Sequence, residues 1–369
     1  MRKCEVTGVK ISKKLRSNLI TYAIVIIAYL VCQLAMSGEI DGFKMTRSLK
    51  GQLVPICVYI VMAVSLNLTV GISGELSLGH AGFMSVGAFS GAVAAACLAN
   101  TVPDPTLRLI FAMIAGGVMA AVAGVIIGVP VLRLRGDYLA IVTLAFGEII
   151  RNVINCLYIA LDGKILRIAF NSPLTQDPAR TAEGIAFKVL VNGPQGASIS
   201  PKLSTFTMGF VLVMVSLIVV LNLINSRSGR AIMAIRDNRI AAESVGLSVT
   251  KYKMMAFVIS ASLAGMAGAL YSLNYSTVAA SKFKFDTSIL VLVFVVLGGI
   301  GNIRGSVIAA ALLTVLPELL RAFNDYRMLI YAIVLILVML TTNNARFKQL
   351  RDSLVEKIKG KKSEGGVQE

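Results

Sequence analysis

Ten stretches of the 369-residue chain are almost continuously apolar: roughly 19–36, 53–72, 80–99, 107–132, 138–160, 205–224, 254–273, 289–300, 306–320 and 328–342. None alternates apolar and polar residues with a period of two, so helices are expected rather than the wall of a β-barrel. Most come close to the ~20 residues a helix needs to cross about 30 Å of hydrocarbon. The eighth and ninth are short and are split by Gly298-Gly299-Ile300-Gly301-Asn302. They are expected to be either two full spans or a broken, re-entrant pair, since irregular backbone is tolerated in a membrane only against protein or water. The pattern predicts an all-α polytopic integral membrane protein with about ten transmembrane helices. A basic leader (1–18) precedes a transmembrane region (19–342), and a basic tail (343–369) follows it.

Composition supports this class. Hydrophobic residues make up 56% of the chain, charged residues 15%, and the mean hydropathy is +0.79. Soluble domains carry about 45–50% apolar and about 25% charged residues, and one soluble core of this size cannot hide the difference. The basic leader followed by an apolar run resembles a signal peptide, but the run is longer than the ~7–15 residues of a signal core. It is read as a retained first span.

The net charge of +17 is explained by topology and not by nucleic-acid binding. With the N-terminus cytoplasmic, 22 Lys and Arg fall inside and 12 outside, with Arg108 and Arg151 at or within spans. This is the positive-inside bias. It puts both termini in the cytoplasm, an external loop at 161–204 and a cytoplasmic loop at 225–253. Of Cys4, Cys32, Cys57, Cys97 and Cys156, four lie in expected spans and none in an external loop, so no disulfide is expected. A single histidine, His80, and the cysteine spacings fit no metal site, and no catalytic residue stands out.

Three segments break the apolar pattern. In 71–83, Gly74 and Gly79 have the glycine spacing of a phosphate-binding loop, but His80 and Ala81 stand where Lys and Ser or Thr are required. Without the lysine this is no nucleotide site. Glu75 and His80 instead belong either to a tight turn or to a stretch beside a substrate path. In 136–151, Asp137 is placed to cap a helix. Glu148 and Arg151, three residues apart on one face, are either a structural ion pair or groups lining the path. In 226–247, Ile232, Ile235, Arg239 or Ile240, and Glu243 follow helical spacing, and Gly246 is a natural stop. One short amphipathic helix over 231–246 is expected there, as a docking surface for a cytoplasmic partner. Small residues at Gly87/Gly91, Gly124/Gly128 and Ala261/Gly265/Gly268 predict close helix packing. The segment 346–358 places Phe347, Leu350, Leu354 and Ile358 on one face among basic residues, which suits a helix lying on the membrane surface.

The stretch Ala-Ile-Arg-Asp-Asn-Arg-Ile-Ala-Ala-Glu-Ser-Val-Gly (234–246), with Lys251-Tyr252-Lys253 after it, resembles the coupling region of branched-chain amino acid ABC permeases, and more narrowly of their M-type subunit. Segments 136–151, 74–83 and 298–301 resemble the same subunit, so the likeness spans about residues 53–345. It departs at Asn192-Gly193-Pro194-Gln195-Gly196, which an apparent insertion around 162–191 pushes back. The resemblance implies a permease for branched-chain or related amino acids, working with a homologous second permease, two cytoplasmic ATPases and an extracytoplasmic binding protein. ATP and Mg would sit on the ATPases, and this chain would bind no cofactor and be no enzyme. It implies that Arg236, Asp237, Arg239, Ala241, Ala242, Glu243 and Gly246 couple to the ATPase. Glu75, His80, Glu148, Arg151, Gly298, Gly299 and Gly301 are candidates for the path or its gate. A self-contained channel, or the same machinery carrying urea or short amides, stays open at this point.

Overall fold

The computed structural model describes residues 13–37, 47–134, 136–162, 165–175, 187–198, 202–321 and 326–343. The leader before Lys13 and the amphipathic tail over 346–358 lie outside these. The chain divides into two compact units, Met1–Ala311 and Leu312–Glu369.

In the first unit, α1 (Lys13–Ser37) turns an apolar surface outward and stacks Tyr29 on Phe210, with ring centroids 4.1 Å apart. Helix α2 (Arg47–Asn67) is the centre of the unit: Val58, Val61, Met62, Val64 and Leu66 are fully enclosed. It passes into a π-turn over Leu68–Ile72, where Ser73 N–H donates five residues back to Leu68 O at 3.0 Å. Then come α3 (His80–Cys97), α4 (Pro105–Val131), α5 (Asp137–Asn155), α6 (Phe206–Asn225), the short α7 (Arg227–Asp237) and α8 (Arg239–Ser244), α9 (Val249–Ser272) and α10 (Phe285–Gly298). Helix α11 (Ile303–Leu319) begins in this unit and ends in the second. The second unit also holds α12 (Arg327–Asn343), which exposes Leu329, Ile333, Ile336 and Leu337.

Among the described residues, six helices are long and apolar enough to cross a membrane: α1, α2 with its π-turn, α3, α4, α6 and α9. This makes the chain a multi-pass membrane protein, although fewer helices qualify than the ten apolar runs suggested. Four others fall short for separate reasons. Helix α5 carries Asp137, Glu148 and Arg151, while α10, α11 and α12 have 14, 17 and 17 residues.

The all-α expectation needs correction. A five-stranded antiparallel sheet, ordered β2-β1-β3-β4-β5, is built from β1 (Leu157–Asp162), β2 (Ile165–Phe170), β3 (Phe187–Asn192), β4 (Ala197–Ser198) and β5 (Thr277–Val278). The expected span over 138–160 ends at Asn155, and Tyr158 to Ala160 belong to β1. Leucine, isoleucine and tyrosine here are apolar enough to prolong a helical run, yet they fit a half-buried strand equally well. Asp162, buried, meets Arg167 across the hairpin at 3.0 Å. The pairing of Ala197 with Val278 ties the sheet to the segment that follows α9. Cys156, expected inside a span, caps the end of α5; it, Cys32, Cys57 and Cys97 are free thiols.

Helices α3, α4 and α9 meet along glycines. A Cβ at Gly87 would fall on the backbone of Gly265, and one at Gly116 would lie 2.8 Å from Gly87 O. Ala269 packs on Gly91, Ala261 on Gly124 and Met254 on Gly128. Lipid tails offer helices no hydrophobic reason to associate, so this close approach supplies the dispersion contacts instead.

Candidate functional site

The segment after α6 folds into two helices, not the single one expected. Ser226 caps α7 by accepting from Gly229 N–H at 3.1 Å. Asn238 then adopts an extended backbone (φ −151°, ψ 104°), ending α7, and its Oδ1 accepts from Ala241 N–H at 3.1 Å to start α8. An asparagine cap inside the expected helix thus divides it. Gly246, at φ 83°, stops α8, with Leu247 N–H bonded to Ala242 O and Gly246 N–H to Glu243 O. This is the paired closure that a left-handed glycine allows. Ile235, Ala242 and Val249, with Leu247 and Tyr252, form a small core that makes α7 and α8 one body with the start of α9. On its outer side Ile240 is 80% and Val245 75% exposed, and Arg239 pairs with Glu243 at 2.9 Å.

Arg236 faces inward from this body. Its Nη1 donates to Gly71 O at 2.8 Å, while Nε and Nη2 donate to Asp237 Oδ1 at 3.0 and 2.9 Å. Its aliphatic stem lies over Gly74, where a Cβ would sit 2.6 Å from Arg236 Cγ. A second tie joins Lys253, in the first turns of α9, to Glu75. The loop after the π-turn is therefore held to the α7–α8 body from two directions.

The other side of Gly71 touches the break between α10 and α11. A Cβ at Gly71 would fall on Gly301 N and Asn67 Oδ1. Asn67 is fully buried; its Oδ1 accepts from Gly301 N–H at 2.8 Å and its Nδ2 donates to Ser306 Oγ at 2.8 Å. Gly299 and Gly301 lie at φ 93° and 82°, and Gly298 packs against the backbone of Gly305 and Ser306. The structure thus brings Arg236 from the coupling set and Gly301 from the path set onto opposite sides of one glycine.

The remaining path candidates are His80, Glu148 and Arg151. His80 starts α3, is 2% exposed, and shares a 2.8 Å hydrogen bond between its Nε2 and Ser65 Oγ. Ser260 Oγ donates to Ser65 O at 2.6 Å. Leu78 N–H donates to Thr143 Oγ1 at 3.0 Å and Ala81 N–H to Ser288 Oγ at 3.0 Å, tying the start of α3 to α5 and α10. Arg151 Nε donates to Glu148 Oε2 at 2.7 Å, so the two form an ion pair. Asp137 does not cap α5: Gly136 (φ 58°) occupies the cap and Asp137 the first turn, where its charge still suits the helix dipole. Ser65, Asn67, Thr143, Ser288 and Ser306 were not singled out from sequence. The available signal was polar side chains inside apolar runs, as in Ser65-Leu66-Asn67-Leu68-Thr69.

A family model described as "Branched-chain amino acid transport system / permease component" matches residues 48–339. The chain is 34% identical over 361 residues to the high-affinity branched-chain amino acid transport system permease protein LivM of Salmonella typhimurium, covering 95% of this chain and 79% of that protein. It is 38% identical over 288 residues to LivM of Escherichia coli, covering 77% of this chain and 66% of that one. A shorter match, 30% identical over 164 residues, reaches the permease protein LivH of Salmonella typhimurium, covering 42% of this chain and 53% of LivH. No solved structure matches the chain. With the family pattern running through the bundle, the short α7–α8 body and the α10–α11 break, this multi-pass membrane chain belongs to the permease component family of branched-chain amino acid transport systems.

Proposed function

We propose that the chain is the membrane-spanning permease subunit of an ATP-driven ABC importer, carrying branched-chain or related amino acids inward across the bacterial cytoplasmic membrane. Both termini are cytoplasmic, and the sheet lies outside with the loop over 161–204. A homologous second permease completes the membrane unit, two ATPases supply the energy, and an extracytoplasmic binding protein delivers the cargo. The observation that carries this reading is the α7–α8 body. It is rigid, bears Ile240 and Val245 almost fully exposed, and is tied to the core through Arg236 and Lys253. Large apolar side chains held out on a rigid surface suit insertion into a partner's groove. A groove closing on them would pull on Gly71 through Arg236.

Nucleotide chemistry belongs to the partners, because His80 occupies the position where a phosphate-binding loop needs its lysine. The test is a double variant, Ile240→Asp with Val245→Asp, in cells expressing the whole system. Membrane insertion should be normal, while ATPase co-purification and leucine uptake are lost. Normal co-purification with normal uptake would leave a self-contained channel as the better account.

A further inference from the structure

Arg108, in the first turn of α4, is a charge buried without an answering group. It is only 8% exposed, and among the described residues its guanidinium makes no hydrogen bond or ion pair. Nε is fully enclosed and has no acceptor, while the two terminal nitrogens are not enclosed. We infer that Arg108 holds the phosphate of a membrane phospholipid, in the leaflet that faces away from the α7–α8 body.

The packing of α3, α4 and α9 fixes where Arg108 sits. Gly87 lies against Gly265 and Gly116, and Gly91 against Ala269 and Ala112. Four residues forward in α3 thus match four forward in α9 and four backward in α4. The next layer brings Arg108 level with Ala95 and with the end of α9 at Ser272. The opposite end of this seam, where Gly128 meets Met254, lies by the first turns of α9 and so by the α7–α8 body. Arg108 is therefore at the far mouth of the seam, three residues inside the span that begins at Pro105.

A charge at that depth is expensive unless it meets water or a partner. The nearest carboxylate in sequence, exposed Asp104, neither pairs with Arg108 nor caps α4 with its side chain. The negative ends of the α3 and α9 dipoles lower the cost of Arg108, but they supply Nε with no acceptor. Helix α4 adds donors of its own. Pro105 has no N–H and Arg108 N–H bonds to Asp104 O at 3.0 Å, which leaves Thr106 and Leu107 N–H at the helix end. Side chains on a helix lean toward its N-terminus, so the guanidinium and these amides favour an anion at one place. A phosphate accepts the guanidinium fork in two parallel hydrogen bonds. The rest of the ligand is set by the neighbouring face. Leu107, Phe111, Ile114 and Val118 are exposed and form one apolar stripe down α4, continuous with its membrane-facing surface. An anionic head at the end of a span with hydrocarbon running beside it is the chemistry of a phospholipid, and not of a free anion.

The test uses the full chain in detergent, with the subunits that co-purify, after lipid has been stripped away. Dioleoylphosphatidylglycerol should bind, read by native mass spectrometry, and raise the thermal midpoint. Dioleoylglycerol, with the same tails and no phosphate, and inorganic phosphate should each fail to do so. Arg108→Gln should weaken binding of the tightest phospholipid about tenfold, as the loss of a charged hydrogen bond requires. Arg108→Lys keeps the charge and loses the fork. It should fall between the two, and it remains measurable if the glutamine variant does not fold. Asp104→Asn should not weaken binding. Equal phospholipid binding by the unaltered chain and the Arg108 variants, or stabilisation by inorganic phosphate alone, would overturn the assignment. So would an Asp104→Asn variant that loses as much stability as Arg108→Gln with lipid binding intact, since Arg108 would then answer to that carboxylate. Loss of the co-purifying subunits from Arg108→Gln with lipid binding intact would also overturn it, and would place a partner's carboxylate at this mouth instead.

Discussion

Two seams run through the bundle, both lined with glycine, and they are built on opposite plans. The α3–α4–α9 seam is made of absence: Gly87, Gly116 and Gly265 remove side chains so that ordinary helical backbones touch. The α2–α10–α11 seam also excludes a Cβ at Gly71 and Gly298, but its glycines at 299 and 301 sit at positive φ and its contacts are directional hydrogen bonds from Asn67. A face held by dispersion over a large area has one good arrangement and resists displacement. A face held by a few hydrogen bonds beside backbone that only glycine adopts readily can exchange partners when pulled. One residue type thus serves locking in one seam and compliance in the other.

The contrast is most sharply tested at Gly265. Gly265→Leu drives a side chain into Ala120 and Gly116. It should cost about 3 kcal/mol or more, read as a collapse of the thermal midpoint in detergent. A loss below about 1 kcal/mol would mean that the first seam yields, and the distinction would fail. Asn67→Leu comes next. It strands Gly301 N–H and leaves Ser306 Oγ only its bond to Asn302 O, for about 2 kcal/mol, and uptake at temperatures well below the midpoint should fall further than stability alone explains. Uptake that simply tracks stability would make the second seam a structural joint only.

How much of this was legible in the sequence follows from the range of each interaction. The glycine faces were visible because four-residue spacing is local, as were the stop at Gly246 and the Glu148–Arg151 pair at helical spacing. The clamp from Arg236 to Gly71 joins residues 165 apart, and that from Asn67 to Gly301 residues 234 apart; no local pattern encodes either. The sheet was hidden for another reason. Leu157 to Ala160 continue the apolar run of α5, and length alone does not separate a strand from the last turn of a span. The division of α7 from α8 rests on Asn238, a residue equally at home on a solvated helix surface.

Smaller effects refine the comparison. Glu148 and Arg151 should behave as partners, so a double-mutant cycle with Glu148→Gln and Arg151→Met should show a coupling of about 1 kcal/mol in detergent stability. Strict additivity would dissolve the pair. The smallest effect belongs to Arg239 and Glu243. As an exposed pair at i,i+4 it should contribute about 0.3 kcal/mol and vanish at high salt. A larger, salt-resistant loss in Arg239→Gln would show that this end of the molecule is less solvated than its surface suggests.

The π-turn over Leu68–Ile72 bears on how members of this family can be recombined. An α-helix advances about 100° per residue. Deleting one residue here to restore a regular helix would swing everything after it round the axis by that angle, carrying Gly71 O away from Arg236 and Gly71 Cα away from Gly301. Chimaeras joined between α2 and α3 should therefore take the turn, the α7–α8 body and the α10–α11 break from a single parent, because the three are cut to the same phase.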